Sequence, residues 1–189
     1  LSNFIALYDA CVLYPAPLRD LLMHLALTNL YRAKWTNEIH DEWIRNVLRV
    51  RPDLNRAQLE RTRELMNSNV RDCLVTEYET LTAALSLPDP NDRHVLAAAI
   101  RSSASVIVTF NLKDFPKKVI KQYGIEAQHP DIFLNHLIEL DPHIFCEAVL
   151  KLRKNLKNPP INTENYLQIL NNQSLPLTAN KLFNFIDLI

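Results

Sequence analysis

A single glycine, Gly124, serves the whole chain of 189 residues. Loops that cradle phosphate need several glycines, because backbone amides must approach the anion closely. A Walker-type or dinucleotide-binding loop is therefore excluded. Cysteine is scarce as well: Cys11, Cys73 and Cys146 are far apart and odd in number. With no Cys-x-x-Cys pair, neither a structural zinc site nor a disulfide framework is expected, and a reducing, cytoplasmic setting is. No apolar run reaches the ~18 residues of a membrane span. The first residues do not lead from a basic stretch into an apolar one, so no secretory signal is expected; the start at Leu1 rather than Met suggests a trimmed beginning. An excess of one charge is absent too, with 21 Lys plus Arg against 21 Asp plus Glu. Any hold on a polyanion has to come from local clusters.

What is present is an ordinary globular composition, 48% hydrophobic and 22% charged, enough for one domain with a core and a small appendage. The apolar run Phe4–Tyr8 reads as a buried strand ending at Asp9. Leu18–Leu30 keeps helical spacing. Lys34–Thr36 reads as a brief strand, and Thr36 then caps a helix over Asn37–Val50, with Ile39, Trp43, Val47 and Val50 as its apolar stripe. Asn55 caps a further helix to Asn69, and Cys73–Val75 is a short strand. Asp89 before Pro90 is a strong helix start, and that helix runs to Ser102. Val106–Phe110 is the clearest strand. Strands alternating with helices predict βαβ units around a parallel sheet. Beyond Pro130 only helical pieces are read: Leu134–Leu140, Ile144–Leu156, Glu164–Leu170 and Thr178–Leu188, with a hinge at Asn158-Pro159-Pro160.

Four acids stand where such a fold builds sites. Asp9 follows the first strand and Asp114 the clearest one, and ligands bind outside the carboxyl ends of parallel strands. Asp92 shares a helix face with Val95, Leu96 and Ala99, so it needs a partner. Glu42 borders the Ile39/Trp43 stripe. Each has a plain structural reading: Asp92 as a first-turn helix acid, Glu42 as a solvated helix residue, Asp9 and Asp114 as turn residues. Gathered together, two carboxylates ~5 Å apart repel by roughly 3 kcal/mol at an effective dielectric of ~20. A hard divalent cation with oxygen ligands resolves that cost and equips the site for phosphodiester hydrolysis.

Four segments in order carry a family likeness. They are Leu7-Tyr8-Asp9-Ala10-Cys11-Val12-Leu13, Thr36-Asn37-Glu38-Ile39-His40-Asp41-Glu42-Trp43, Leu87-Pro88-Asp89-Pro90-Asn91-Asp92-Arg93-His94-Val95-Leu96-Ala97-Ala98-Ala99, and Val108-Thr109-Phe110-Asn111-Leu112-Lys113-Asp114-Phe115. Over roughly residues 3 to 135 the sequence resembles PIN-domain ribonucleases, close to the VapC-like toxins of bacterial toxin–antitoxin pairs. The resemblance implies a three-layer α/β/α sandwich with a central parallel sheet over residues 1–135, followed by a C-terminal helical appendage over 136–189. It implies hydrolysis of RNA with Mg²⁺ or Mn²⁺ held by Asp9, Glu42, Asp92 and Asp114. Asn111, Thr109, Arg93 and Lys113 are expected at the substrate, Asn111 and Thr109 by hydrogen-bonding either the metal ligands or the scissile phosphate. A protein antitoxin and a homodimer are the expected partners. In the second segment Glu38, Asp41 and Glu42 compete; Glu42 is preferred because Thr36 then falls six positions before it. Where relatives often carry Asp, this chain has Asn111.

The remaining candidates have plainer readings. Arg45, Arg49, Arg51, Lys117, Lys118 and Lys121 serve either an RNA backbone or a solvated surface. None of the six histidines has zinc-helix spacing, so each is read as surface or core; His94 lies nearest the site, with support of the acids there as its minor reading. Trp35 and Trp43 are read as core. Two other functions compete with the nuclease: a non-catalytic RNA-binding or scaffold protein of the same fold, and a phosphatase of the haloacid-dehalogenase type. The latter ranks below because it needs Asp-x-Asp after the first strand, and residue 11 is Cys.

Overall fold

The structure, a computed structural model, describes residues 4–157 and 159–189. Its elements alternate along the chain, from β1 (Ile5–Tyr8), α1 (Ala10–Leu13) and α2 (Ala16–Ala26) to β2 (Arg32–Lys34), α3 (Asn37–Val50), α4 (Arg56–Asn69) and α5 (Glu79–Thr82). Next come α6 (Arg93–Arg101), β3 (Val106–Val108), α7 (Lys117–Ile120) and β4 (Glu126–Gln128). Four helices close the described chain: α8 (Pro130–Leu140), α9 (Pro142–Asn155), α10 (Thr163–Asn172) and α11 (Pro176–Phe183).

The strands form one sheet in the order β2-β1-β3-β4, every pair parallel. Successive strand residues point to opposite faces. Ala6, Leu7 and Tyr8 are all fully buried, so both faces of the sheet are covered, which makes the domain a three-layer α/β/α sandwich. On one face Tyr8 stacks on Trp35 and donates to the carbonyl of Leu22 in α2. On the same face Phe4 stacks on Tyr31 and meets Phe133 of α8 edge-on. Helix α6 lies against both central strands.

Local chemistry starts the helices where the sequence predicts. The Thr36 hydroxyl accepts the Ile39 amide at 3.0 Å, and Asn55 with Gln58 forms a reciprocal capping box on α4. Elsewhere the boundaries move. Asn29 takes a left-handed φ of 62° and stops α2 at Ala26 rather than Leu30. The strand expected over Cys73–Val75 is reduced to a bridge from Leu74 to Trp35, held by two backbone hydrogen bonds of 3.0 and 2.9 Å. The strand expected over Lys34–Thr36 sits at Arg32–Lys34 instead, because Thr36 leaves the sheet to cap α3. At the expected hinge, Asn158 lies outside the described residues, while Lys157 and Pro160 form an antiparallel bridge.

The C-terminal helices pack onto the sandwich, α9 against α2 and α11 against α8 and α10. Asp131, in the first turn of α8 and only 4% exposed, reaches across to the start of α11. Its carboxylate accepts the amides of Leu177 and Thr178 at 2.9 and 2.8 Å and the Thr178 hydroxyl at 2.7 Å. The domain boundary expected after residue 135 falls inside α8.

Below the sheet edge a polar knot joins α3 to α4. His40 is fully buried; its Nδ1 accepts from the Trp43 indole at 2.9 Å, so Nε2 carries the proton and donates to Asn67 at 3.0 Å. Trp35 donates to the same Asn67 oxygen at 2.8 Å. Burial pulls the His40 pKa down to about 4. The unfolded chain therefore binds a proton below about pH 6.5 that the fold refuses. Stability is expected to be full above that pH and to fall on acidification toward about pH 4, by on the order of 2–3 kcal/mol from this residue. Urea titrations across that range should show a visibly flatter profile for His40→Gln; an equally steep one would remove His40 from the account.

Candidate active site

The two central strands fix the geometry. From β1 the chain crosses to β2 on one side, and from β3 it crosses to β4 on the other, so their adjacent carboxyl ends form the switch point where a crevice opens. Asp9 is the first residue past β1, and Thr109 the first past β3.

Asp9 is 3% exposed and tightly held. Its amide donates to the Val108 carbonyl at 3.1 Å, tying it to β3. Its Oδ2 accepts the Thr109 hydroxyl at 2.7 Å and the Cys11 thiol at 3.0 Å. The thiol sulfur in turn accepts the Phe110 amide at 3.2 Å, and the Thr109 oxygen accepts the Asn111 amide at 2.9 Å. Burial and then the Asp9 charge push the Cys11 thiol far above its ordinary pKa, so it stays protonated and donates. Thr109 is fully buried: its hydroxyl serves Asp9, and it has no face toward solvent.

Asp92 ends a 3-10 turn, Pro90–Asp92, that precedes α6. The expected start signal is there, with Pro90 at the first position and Asp89 accepting the Asn91 amide at 2.9 Å. The Asp92 carboxyl is raised to about 7, first by burial and then by the charges of Asp9, Asp114, Asp89 and Glu42. The charges of the other three expected acids thus all reach Asp92. Asp114 is half-buried at the end of another 3-10 turn, Leu112–Asp114, its amide donating to the Asn111 carbonyl. Asn111 and Lys113 are exposed on that turn, and Arg93 is half-buried.

The three competing acids of the second segment have separate partners. Asp41 pairs with Arg63 at 2.9 Å. Glu42 accepts from His94 Nε2 at 3.0 Å, and Glu38 accepts the Tyr78 hydroxyl at 3.1 Å. His94 is 4% exposed. Burial alone would depress its pKa, but the hydrogen bond to Glu42 and the charges of Glu42, Glu38 and Asp9 raise it. Sequence reading passed over Cys11 as a partner of Asp9 and ranked a supporting role for His94 below core or surface; the one available signal was their position two residues beyond Asp9 and Asp92.

Among the described residues, no three His, Cys, Asp or Glu side chains stand close enough to hold one metal ion. The acids share a field rather than a finished coordination shell. Their chemistry nevertheless suits a hard divalent cation, since the donors are carboxylate oxygens and both the burial and the neighbouring negative charges that raise the Asp92 pKa are offset by a bound cation.

A family model described as PIN domain matches residues 6–113, more than half of the chain. A second, described as VapC50 C-terminal domain, matches residues 130–183. Among curated proteins the chain is similar to one named "Putative ribonuclease VapC50" from Mycobacterium tuberculosis (strain ATCC 25618 / H37Rv), with 41% identity over 96 residues. That alignment covers 51% of this chain and 56% of the relative, so the likeness spans little more than half of the relative's length. No solved structure matches.

The Asp92 pKa of about 7 gives a sign that can be checked. The folded state keeps a proton that the unfolded state releases from about pH 4 upward, so stability falls as pH rises toward about 7 and stays lowered above it. In chelator-treated protein at about pH 8, Asp92→Asn is expected to raise the melting temperature by roughly 3 °C, with the difference closing near about pH 4. Calorimetric melts showing no gain at the higher pH would contradict the clustering.

Proposed function

The chain belongs to the PIN-domain family, and from that premise we propose that it is a metal-dependent endoribonuclease, the toxin of a toxin–antitoxin pair. The observation that carries the reading is the Asp92 carboxyl, raised to about 7 within the field of Asp9, Asp114 and Glu42 at the switch point of a parallel sheet. Asp9, Glu42, Asp92 and Asp114 would hold Mg²⁺ or Mn²⁺. Such an ion, when bound, acidifies an attacking water and neutralises charge on the phosphodiester oxygens.

The chain's own residues prepare that chemistry. Thr109 and Cys11 orient one oxygen of Asp9 and leave the other for the site. We assign Thr109 to this holding role rather than to substrate, because it is fully buried. Asn111, Lys113 and Arg93 flank the acids in sequence and supply donors and positive charge to an RNA backbone. The antitoxin and a second copy of the chain follow from the family likeness, and a cytoplasmic location accords with it. No described helix is long and apolar enough to cross a membrane.

One observation favours a second reading, a non-catalytic RNA-binding or scaffold role: the lack, among the described residues, of a three-ligand group. Metal binding separates the two. Titration calorimetry with Mn²⁺ is expected to show heat in the wild type, and the same protein is expected to cut single-stranded RNA internally until a chelator is added. Asp9→Asn and Asp92→Asn are each expected to lower kcat/KM by about 10²–10³-fold with the fold retained. RNA cleavage that survives both substitutions would sink the site assignment, and absent Mn²⁺ binding would favour the scaffold reading.

A further inference from the structure

Two acid-bearing helices face each other through one imidazole. His94 sits on α6, two residues past Asp92, and Glu42 sits on α3. The His94 Nε2 lies 3.0 Å from Glu42 Oε1. Its Nδ1 lies 3.6 Å from Glu38, too far for a hydrogen bond, and has no partner among the described residues. Glu38 and Glu42 are one helical turn apart, so both reach the same side of α3. Glu38 is turned aside by the Tyr78 hydroxyl at 3.1 Å. The ring, 4% exposed, therefore discriminates between two otherwise similar carboxylates and grips one of them.

We propose that His94 is a positioning residue for the endoribonuclease site, fixing the Glu42 carboxylate relative to Asp92 through its Nε2–H bond to Oε1. The assignment rests on the reading given above. A glutamate at a helix surface has three rotatable bonds, and without a partner its carboxylate samples several rotamers. Gripping Oε1 from a buried ring leaves Oε2 as the oxygen presented to a cation, in the way that outer hydrogen bonds orient metal ligands elsewhere. A purely structural histidine would matter to stability and to nothing else.

The test compares His94→Leu with His94→Gln, each alone and combined with Glu42→Gln, reading Mn²⁺ affinity by calorimetry, RNA cleavage, and thermal melting. His94→Leu is expected to weaken Mn²⁺ binding by about 10–100-fold and to lower kcat. His94→Gln, whose amide reaches as far as Nε2, is expected to restore affinity to within about threefold of wild type. In the Glu42→Gln background, His94→Leu is expected to add no further loss, because the two act through one bond. A folded His94→Leu that binds Mn²⁺ like the wild type overturns the proposal, and so does an equal loss in the Glu42→Gln background. If the leucine variant does not fold, His94→Asn, whose amide stops short of Glu42, takes its place against His94→Gln under the same criteria. A wild-type protein that takes up no Mn²⁺ and leaves RNA intact overturns the endoribonuclease reading and this assignment together, an outcome distinct from an active wild type with an indifferent position 94.

Discussion

β1 and β3 run side by side with Tyr8 opposite Val108, and that register governs where the site can be. It puts Asp9 and Thr109 next to each other although 100 residues of sequence separate them. A slip by one residue would turn the strand residues to the wrong faces and break both the Asp9 amide bond to Val108 and the Thr109 hydroxyl bond. The sheet is thus more than a platform. Its central pairing is the device that converts a remote threonine and a nearby thiol into a rigid mount for one carboxylate.

Around that mount the electrostatics oppose the fold. The charges of Asp9, Asp114, Asp89 and Glu42 all raise the Asp92 carboxyl. Repulsion of this kind persists only where surrounding packing overdetermines the arrangement. Here the packing is supplied by fully buried Val95, Leu96, Ala97, Ala98 and Ala99 on α6 and by Trp43 and Ile44 on α3. The apolar faces of both helices are thus buried on the side from which their acids project toward a common field. His94 is the polar contact through which the two helices meet at the site.

Much of this was legible because its causes are local. Thr36, Asn55 and the Asp89-Pro90 pair signal helix starts from side-chain chemistry within three residues, and the structure has a helical start at each. The apolar runs at β1 and β3 needed no tertiary context. By contrast β4, Glu126-Ala127-Gln128, is three residues long with one apolar member, and only pairing to β3 makes it a strand. The acids were picked out by motif order, whereas the pairings of Cys11 with Asp9 and of His94 with Glu42 were not. Glu42 is 52 residues from His94 and Thr109 is 98 from Cys11, and nothing in a local window records a partner at that range. Thr109 was open to two roles, a hydrogen bond to one of the acids or to the scissile phosphate; its burial and its bond to Asp9 favour the first, which sequence position alone does not decide.

The way Asp131, in the first turn of α8, starts α11 bears on modularity. A helix normally carries its cap in the residues just before it; α11 has its cap 46 positions upstream, inside the segment that also packs Phe133 against the sheet's aromatic face. Cutting the chain ahead of Leu177 would remove all three donors at once and open the Asp131 carboxylate to water, so the link between α8 and α11 would be lost with the helix. The two family segments are therefore not beads on a string. The last helices and the sandwich are joined through a side chain of α8, so α11 keeps its start only where Asp131 is kept with it.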